Sequence, residues 1–273
     1  MLRVLLAAVF SLASASPVTL VSGLWRVSNK YDRSGKAYLA WFNSTLRIRA
    51  PMVFFYEHET TLRAAQHARE HLTTKWVHMT FHHLGELLAA RVHVDGSNHL
   101  RRIWLSKMLL LEHASRVANT TWVAWMDAGI NVYRHQPHPA TPWPTPSALR
   151  NLPLRFVYSP VAAGWAGCFA GTAFMVPSDR VSFFAQAFYE TARSLAPADD
   201  QQVFAHMLAS RPDDFYSVAS IQTCQPRARR FFSLLHRRDA CPESCGWACV
   251  ISVLHDGADA GVCAREAARQ PWM

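Results

Sequence analysis

Apolar runs that read as strands alternate with helical stretches through the first half of this chain, and that alternation constrains its fold more than any other feature. "PVTLVSGLW" (17–25), "PMVFFYE" (51–57), "WVHMTF" (76–81) and "TTWVAWM" (120–126) are rich in the β-branched and aromatic residues that suit a pleated sheet. Helical composition fills 35–47 and 59–72. The clearest helix covers 99–118, where Ile103, Leu110, Leu111 and Ala114 recur at three-to-four spacing. Strands joined through helices lie mostly parallel in one sheet, so the expected class is α/β with helices flanking the sheet. A short strand at 154–159, a glycine-rich turn at 164–171 and helices near 178–194 and 199–210 extend the pattern. The proline-rich "HQPHPATPWPTP" (135–146) reads as a loop.

The fourth strand ends in a carboxylate. In "TTWVAWMDAGINVYR" (120–134), Asp127 follows an unbroken apolar run and stands just before Gly129. Apolar strands rarely carry a lone acid without a use. In an open α/β sheet, ligands sit outside the carboxyl ends of the strands. Asp127 is therefore placed to hold a divalent cation, manganese or magnesium, against a diphosphate. An Asp turning back onto its own backbone is the competing structural reading.

Both ends of the chain look different from its middle. "MLRVLLAAVFSLASAS" (1–16) has a basic start, a short apolar run and small residues at Ala13 and Ala15, the layout of a secretory signal. Beyond it, no stretch is long and apolar enough for a membrane helix. Sequons at Asn43 and Asn119 fit a lumenal route. Five of the six cysteines follow residue 220 (Cys224, Cys241, Cys245, Cys249, Cys263), and Cys168 is the sixth. An oxidising lumen would staple such a tail by disulfides. The spacing Cys241-x3-Cys245-x3-Cys249 lacks the paired CxxC of a zinc site. The division expected is a signal at 1–16, an α/β domain at 17–220 and a Cys-rich extension at 221–273 packed on that domain.

Taken in order, "VTLVSGLWRV", "PMVFFYE", "WLSK…WVAWMDAGI", "GWAGCFAGTAFMVP" and "DDQQVFAHMLASRPDDF" resemble the HtrL/YibB-type family, related in pattern to GT-A glycosyltransferases. The resemblance covers about residues 17–220 and implies a GT-A-like, Rossmann-related sheet that binds a nucleotide sugar. It gives Asp127 the place of an Asp-x-Asp metal motif, although Asp127-Ala128-Gly129 lacks the second carboxylate. It sets Gly167 and Gly171 in the acceptor-side turn, where glycine permits close backbone approach to a sugar. It brings one of Asp199 and Asp200 near the sugar. Asp199 also suits a helix N-cap, which leaves Asp200 as the active-site candidate. Its "LSK" singles out Lys107 for the donor diphosphate, followed by Arg26 after the first strand and by Arg101 and Arg102 earlier on the long helix.

Other chemistries find less support. "HAREH" matches the His-x-x-Glu-His pattern of inverted zinc peptidases through His67, Glu70 and His71, but no Glu lies between Glu112 and Glu190 to complete the ligand set. His236 and His255 are late metal-ligand candidates with no selective spacing. The basic stretch "RARRFFSLLHRR" (227–238) reads as a solvated helix, a clamp on phosphates or a membrane-facing surface. The net charge of +9 comes from 24 Arg against 4 Lys, which suits phosphate groups and is equally a mark of coding bias, and it is no sign of nucleic-acid binding. Neither Gly-x-Ser-x-Gly nor a phosphate loop is present. The expectation is transfer of a sugar from a nucleotide-sugar donor to a glycan or glycoconjugate acceptor in the secretory pathway. A non-catalytic carbohydrate-binding or interaction protein of the same fold is the alternative.

Overall fold

The structure is a computed structural model that describes residues 17–27, 35–129, 142–150, 152–159, 169 and 171–218, side chains of 35–40 excepted. The proposed signal, the six cysteines, Gly167, the 227–238 stretch, His236, His255 and most of the proline-rich loop lie outside these residues.

Seven strands form one mixed, mostly parallel sheet: β1 (Val18–Leu24), β2 (Met52–Tyr56), β3 (Thr74–His78), β4 (Trp122–Met126), β5 (Phe156–Tyr158), β6 (Ala173–Pro177) and β7 (Phe215–Ser217). Their order is β3-β2-β1-β4-β6-β5-β7. β1 pairs in parallel with β2 and β4, and β2 with β3, whereas β6 runs antiparallel to both β4 and β5. The chain therefore moves outward from β1 to β3 and then returns to lay β4 on β1's other side. In open α/β sheets such a reversal marks the crevice outside the carboxyl ends of the strands, here β1 and β4, where ligands sit.

Helices cover both faces: α1 (Gly35–Leu46), α2 (Glu59–Ala68), α3 (Phe81–Ala89), α4 (His99–Ser115), the single turn α5 (Pro146–Leu149), α6 (Val181–Ser194) and α7 (Asp200–Ser210). Strand alternation splits the core in two, because successive side chains point to opposite faces. Val53, Phe55, Val123, Trp125, Phe174 and Val176 pack toward α3, α4, α6 and α7, while Met52, Phe54, Trp122, Ala124, Ala173 and Met175 pack with Phe42 and Leu46 of α1 and Ala65 of α2. By the same period of two, Asp127 shares the face of Val123 and Trp125. It points to the α4 side.

The α/β class and the major elements agree with the sequence reading, and the differences have local causes. β3 begins at Thr74 rather than Trp76 and ends at His78, and α3 starts where the strand was expected to finish. Thr80 caps α3 by accepting from the His83 N–H at 3.1 Å, which stops the extended chain there. α2 ends at Ala68, so Glu70 and His71 lie beyond the helix and the "HAREH" pair shares no helical face. Among the described residues, no helix is long and apolar enough to cross a membrane. Asn43 and Asn119 are both exposed.

Phenylalanines fasten α6 and α7 to the sheet. Phe156 meets Phe174, Phe184, Phe204 and Phe215 at ring separations of 5.0–5.3 Å. Aromatic pairs of this kind contribute ~0.5–1.5 kcal/mol each beyond burial. Phe204 lies one turn after Asp200 on the buried face of α7, with Val203 and Met207. The aromatic cluster thus fixes where Asp200 points.

Candidate active site

The site is assembled around Lys107. In α4, Lys107 falls four residues after Ile103 and three or four before Leu110 and Leu111, which puts it on the apolar stripe rather than in solvent. Its side chain is 2% exposed. An ammonium enclosed this far costs several kcal/mol unless it is paired, and here it is paired three times over. Nζ lies 3.1 Å from Asp127 Oδ1 and 2.7 Å from Asp200 Oδ2, and donates to the Gly171 carbonyl oxygen at 2.7 Å. The contact with Asp200 is a close, buried ion pair.

Each partner is held in turn. The backbone N–H of Asp127 donates to the Thr172 carbonyl at 2.8 Å, continuing the β4–β6 ladder. Trp125, two residues earlier on the same face, donates from Nε1 to Asp127 Oδ1 at 2.6 Å. Asp200 opens α7, and Asp199 before it forms a full capping box with Gln202. The adjacent acids therefore divide the work, Asp199 capping the helix and Asp200 turning inward. Gly171 has a steric reason: a Cβ there would stand 2.5 Å from Asp200 Oδ2. Any side chain would push the carboxylate away from Lys107.

Burial dominates the electrostatics. It pushes the Asp200 carboxyl up to about 6, with Lys107 opposing the rise and Asp127 and Asp199 adding to it. Burial alone would depress the Lys107 ammonium, but Asp127 and Asp200 outweigh it and its pKa lies above the ordinary lysine value. Lys107 is charged throughout the physiological range. Asp127 is the carboxylate open to the crevice, with 22% of its side chain exposed against 4% for Asp200.

The crevice has a second lip. Ser22 Oγ donates to the Met126 carbonyl at 2.7 Å and ties the ends of β1 and β4 together. Just beyond β1 the Trp25 indole folds back over Gly23, where a Cβ would meet the ring at 2.6 Å, and Nε1 donates to the Met79 carbonyl at 2.9 Å. This places Arg26 at the surface, with Nη2 donating to Thr60 Oγ1 at 2.9 Å.

Lys107, Asp127, Asp200 and Gly171 are thus brought together from four separate parts of the chain. Arg26 stands apart on the β1 side. Arg101 donates from Nε to the Ala198 carbonyl at 2.8 Å and so anchors the turn before Asp200. Arg102 lies over the Phe81 ring at 4.7 Å. Sequence reasoning missed Trp125 as a partner of Asp127; the i, i+2 spacing on one strand face was the available signal.

A divalent cation takes six or more oxygen ligands in short bonds. Among the described residues, no three His, Cys, Asp or Glu side chains converge on one point. The facing carboxylates Asp127 and Asp200 already have Lys107 between them. They do not fit a metal shared by the pair.

No protein-family model matches the chain, and no curated protein matches it in sequence. Similar solved structures include mouse xyloside xylosyltransferase 1 in its apo form, 11% identical, covering 73% of this chain and 83% of that chain with a TM-score of 0.44. Another is core-mannan synthase A from Aspergillus fumigatus in a Mn/GDP form, 8% identical, covering 75% and 73% with a TM-score of 0.43. A mannosyltransferase from Pyrobaculum calidifontis in complex with GDP-Man and Mn2+ is 14% identical, covering 95% and 77% with a TM-score of 0.40. All three are glycosyltransferases. At these scores, function rests on the site's own residues.

Proposed function

We propose that the chain is a glycosyltransferase of GT-A type that moves a sugar from a nucleotide-sugar donor to a glycan or glycoconjugate acceptor in the lumen of the secretory pathway. One observation carries this reading. A carboxylate open to solvent, Asp127, stands at the carboxyl end of β4 beside the β1–β4 reversal, and a buried ammonium fixes it there.

The donor would lie across the crevice, with the exposed Arg26 guanidinium meeting its diphosphate oxygens. Asp127 would take the acceptor's proton as general base. The acceptor oxygen then bonds to the anomeric carbon while the bond from that carbon to the diphosphate oxygen breaks. The electron pair leaves with the nucleoside diphosphate. Asp200, too enclosed to meet an acceptor, would hold Lys107, and Arg101 would hold the turn that carries Asp200. The signal-like 1–16 segment and the exposure of Asn43 and Asn119 support the lumenal placement. The HtrL/YibB-type kinship belongs to the same proposal and rests on the sequence motifs.

Thermal-shift titration with UDP-glucose, UDP-galactose, UDP-xylose and GDP-mannose tests the reading. One donor should raise the melting temperature of the wild type, and Asp127→Asn should abolish transfer while keeping the fold. Absence of a shift with every donor would remove the reading's support. The burial of Asp200 favours one second reading, a carbohydrate-binding protein without turnover. Donor binding with no transfer to any glycan acceptor would select it.

A further inference from the structure

Lys107 lies where a site built on two carboxylates would keep a shared cation. Its ammonium has three oxygen neighbours within 3.1 Å, contributed by Asp127, Asp200 and Gly171, and the Trp125 ring stands 5.8 Å from Nζ. Two facing carboxylates repel each other and need positive charge between them. Here that charge is covalently attached to α4 and sealed from water. A divalent ion bound by both carboxylates would have to expel the ammonium or stand beside it as a like charge.

The surrounding residues are shaped for the ammonium. The absence of a side chain at Gly171 is what lets Asp200 reach Nζ. Arg101 and the Asp199 capping box hold the turn that aims Asp200 inward. On the outer side, Asp127 Oδ1 takes both the indole N–H at 2.6 Å and the ammonium at 3.1 Å. Part of its negative charge is answered before an anionic donor arrives.

We infer that Lys107 is the resident cation of this site and closes the Asp127–Asp200 pair to divalent metals, so that a nucleotide sugar binds without manganese or magnesium. The second half of this inference rests on the nucleotide-sugar reading above; the first half does not.

Two titrations test it on the full-length chain. In the first, Mn2+ alone is added to wild type and Asp127→Asn and followed by electron paramagnetic resonance. The two proteins should take up Mn2+ alike. Uptake by the wild type at micromolar Mn2+ that disappears in Asp127→Asn would overturn the inference, whatever donors do. In the second, the same four nucleotide sugars are titrated in EDTA and in Mn2+. Any donor that binds should do so within about twofold in the two conditions. A donor that binds at least tenfold more tightly with Mn2+ would overturn it. If no donor binds in either condition, the nucleotide-sugar reading fails and the Mn2+ titration alone decides the role of Lys107. Lys107→Met sharpens the result where it folds: freeing the two carboxylates should create Mn2+ uptake that the wild type lacks, and continued indifference to Mn2+ would count against the inference.

Discussion

The two faces of the sheet each bury a cation and satisfy it in opposite ways. On the α2 side, Arg69 is 2% exposed and donates to the carbonyls of Leu46, Ile48 and Ala50 at 2.7, 3.2 and 2.6 Å and to Thr74 Oγ1 at 2.6 Å. Its partners are neutral, and burial lowers its pKa to about 10. On the α4 side, Lys107 has two carboxylates and a carbonyl, and its pKa is raised. Arg69 ties the end of α1 and the turn into β2 together. Its fork spans several backbone oxygens at once, which a single ammonium cannot do. Lys107 gathers charge instead of carbonyls, and one of its carboxylates opens onto the crevice. Neutral partners mark a structural staple, and carboxylate partners at a strand end mark a site.

Removing the cation from the charged side has the largest expected effect. Lys107→Met leaves two facing carboxylates with nothing between them and should cost about 3–5 kcal/mol in urea unfolding. Adding Asp200→Asn should recover part of that loss, because the repulsion goes with the charge. Equal stability of the single and double variants would show that the pair is not coupled through Lys107. Arg69→Met should cost somewhat less, roughly 2–4 kcal/mol, by leaving buried carbonyls without a donor, and should leave donor binding unchanged. Loss of donor binding in a folded Arg69→Met would erase the distinction drawn between the two faces.

The smallest effect per step is in pH. Asp200 keeps its proton more tightly in the folded chain, near 6 against an ordinary 3.8. Its contribution to stability is therefore complete below pH 3.8 and is lost as pH rises through about 6, at up to about 1.4 kcal/mol per unit. Melting curves between pH 4 and 6 should show this loss in the wild type and not in Asp200→Asn. Parallel profiles for the two proteins would mean that Asp200 titrates normally.

Much of this arrangement was legible because it is written locally. Unbroken apolar runs marked the central strands, which are buried on both faces. Asp127 stood out as the charge that ends such a run, and Asp199 declared itself a cap. Lys107 drew notice through "LSK", although its position on the apolar stripe of α4 was the stronger physical signal. What stayed hidden is non-local. The antiparallel direction of β6 depends on pairing across the sheet, and nothing in "AFMVP" states it. Three of the Arg69 partners are backbone oxygens some twenty residues away, and carbonyls have no letter in a sequence. α3 was obscured by its composition, since "FHHLGELLA" carries a glycine and two histidines and follows β3 almost at once.

The distribution of the Lys107 partners along the chain bears on how the protein is made. A ribosome delivers α4 first, then Asp127 twenty residues later, Gly171 sixty-four residues on, and Asp200 last of all. Until α7 has emerged, the amine on α4 lacks its nearest counter-charge and cannot be enclosed at low cost. Until then that part of α4 has to stay solvated. Full enclosure of Lys107 therefore requires a chain that has been read through to α7.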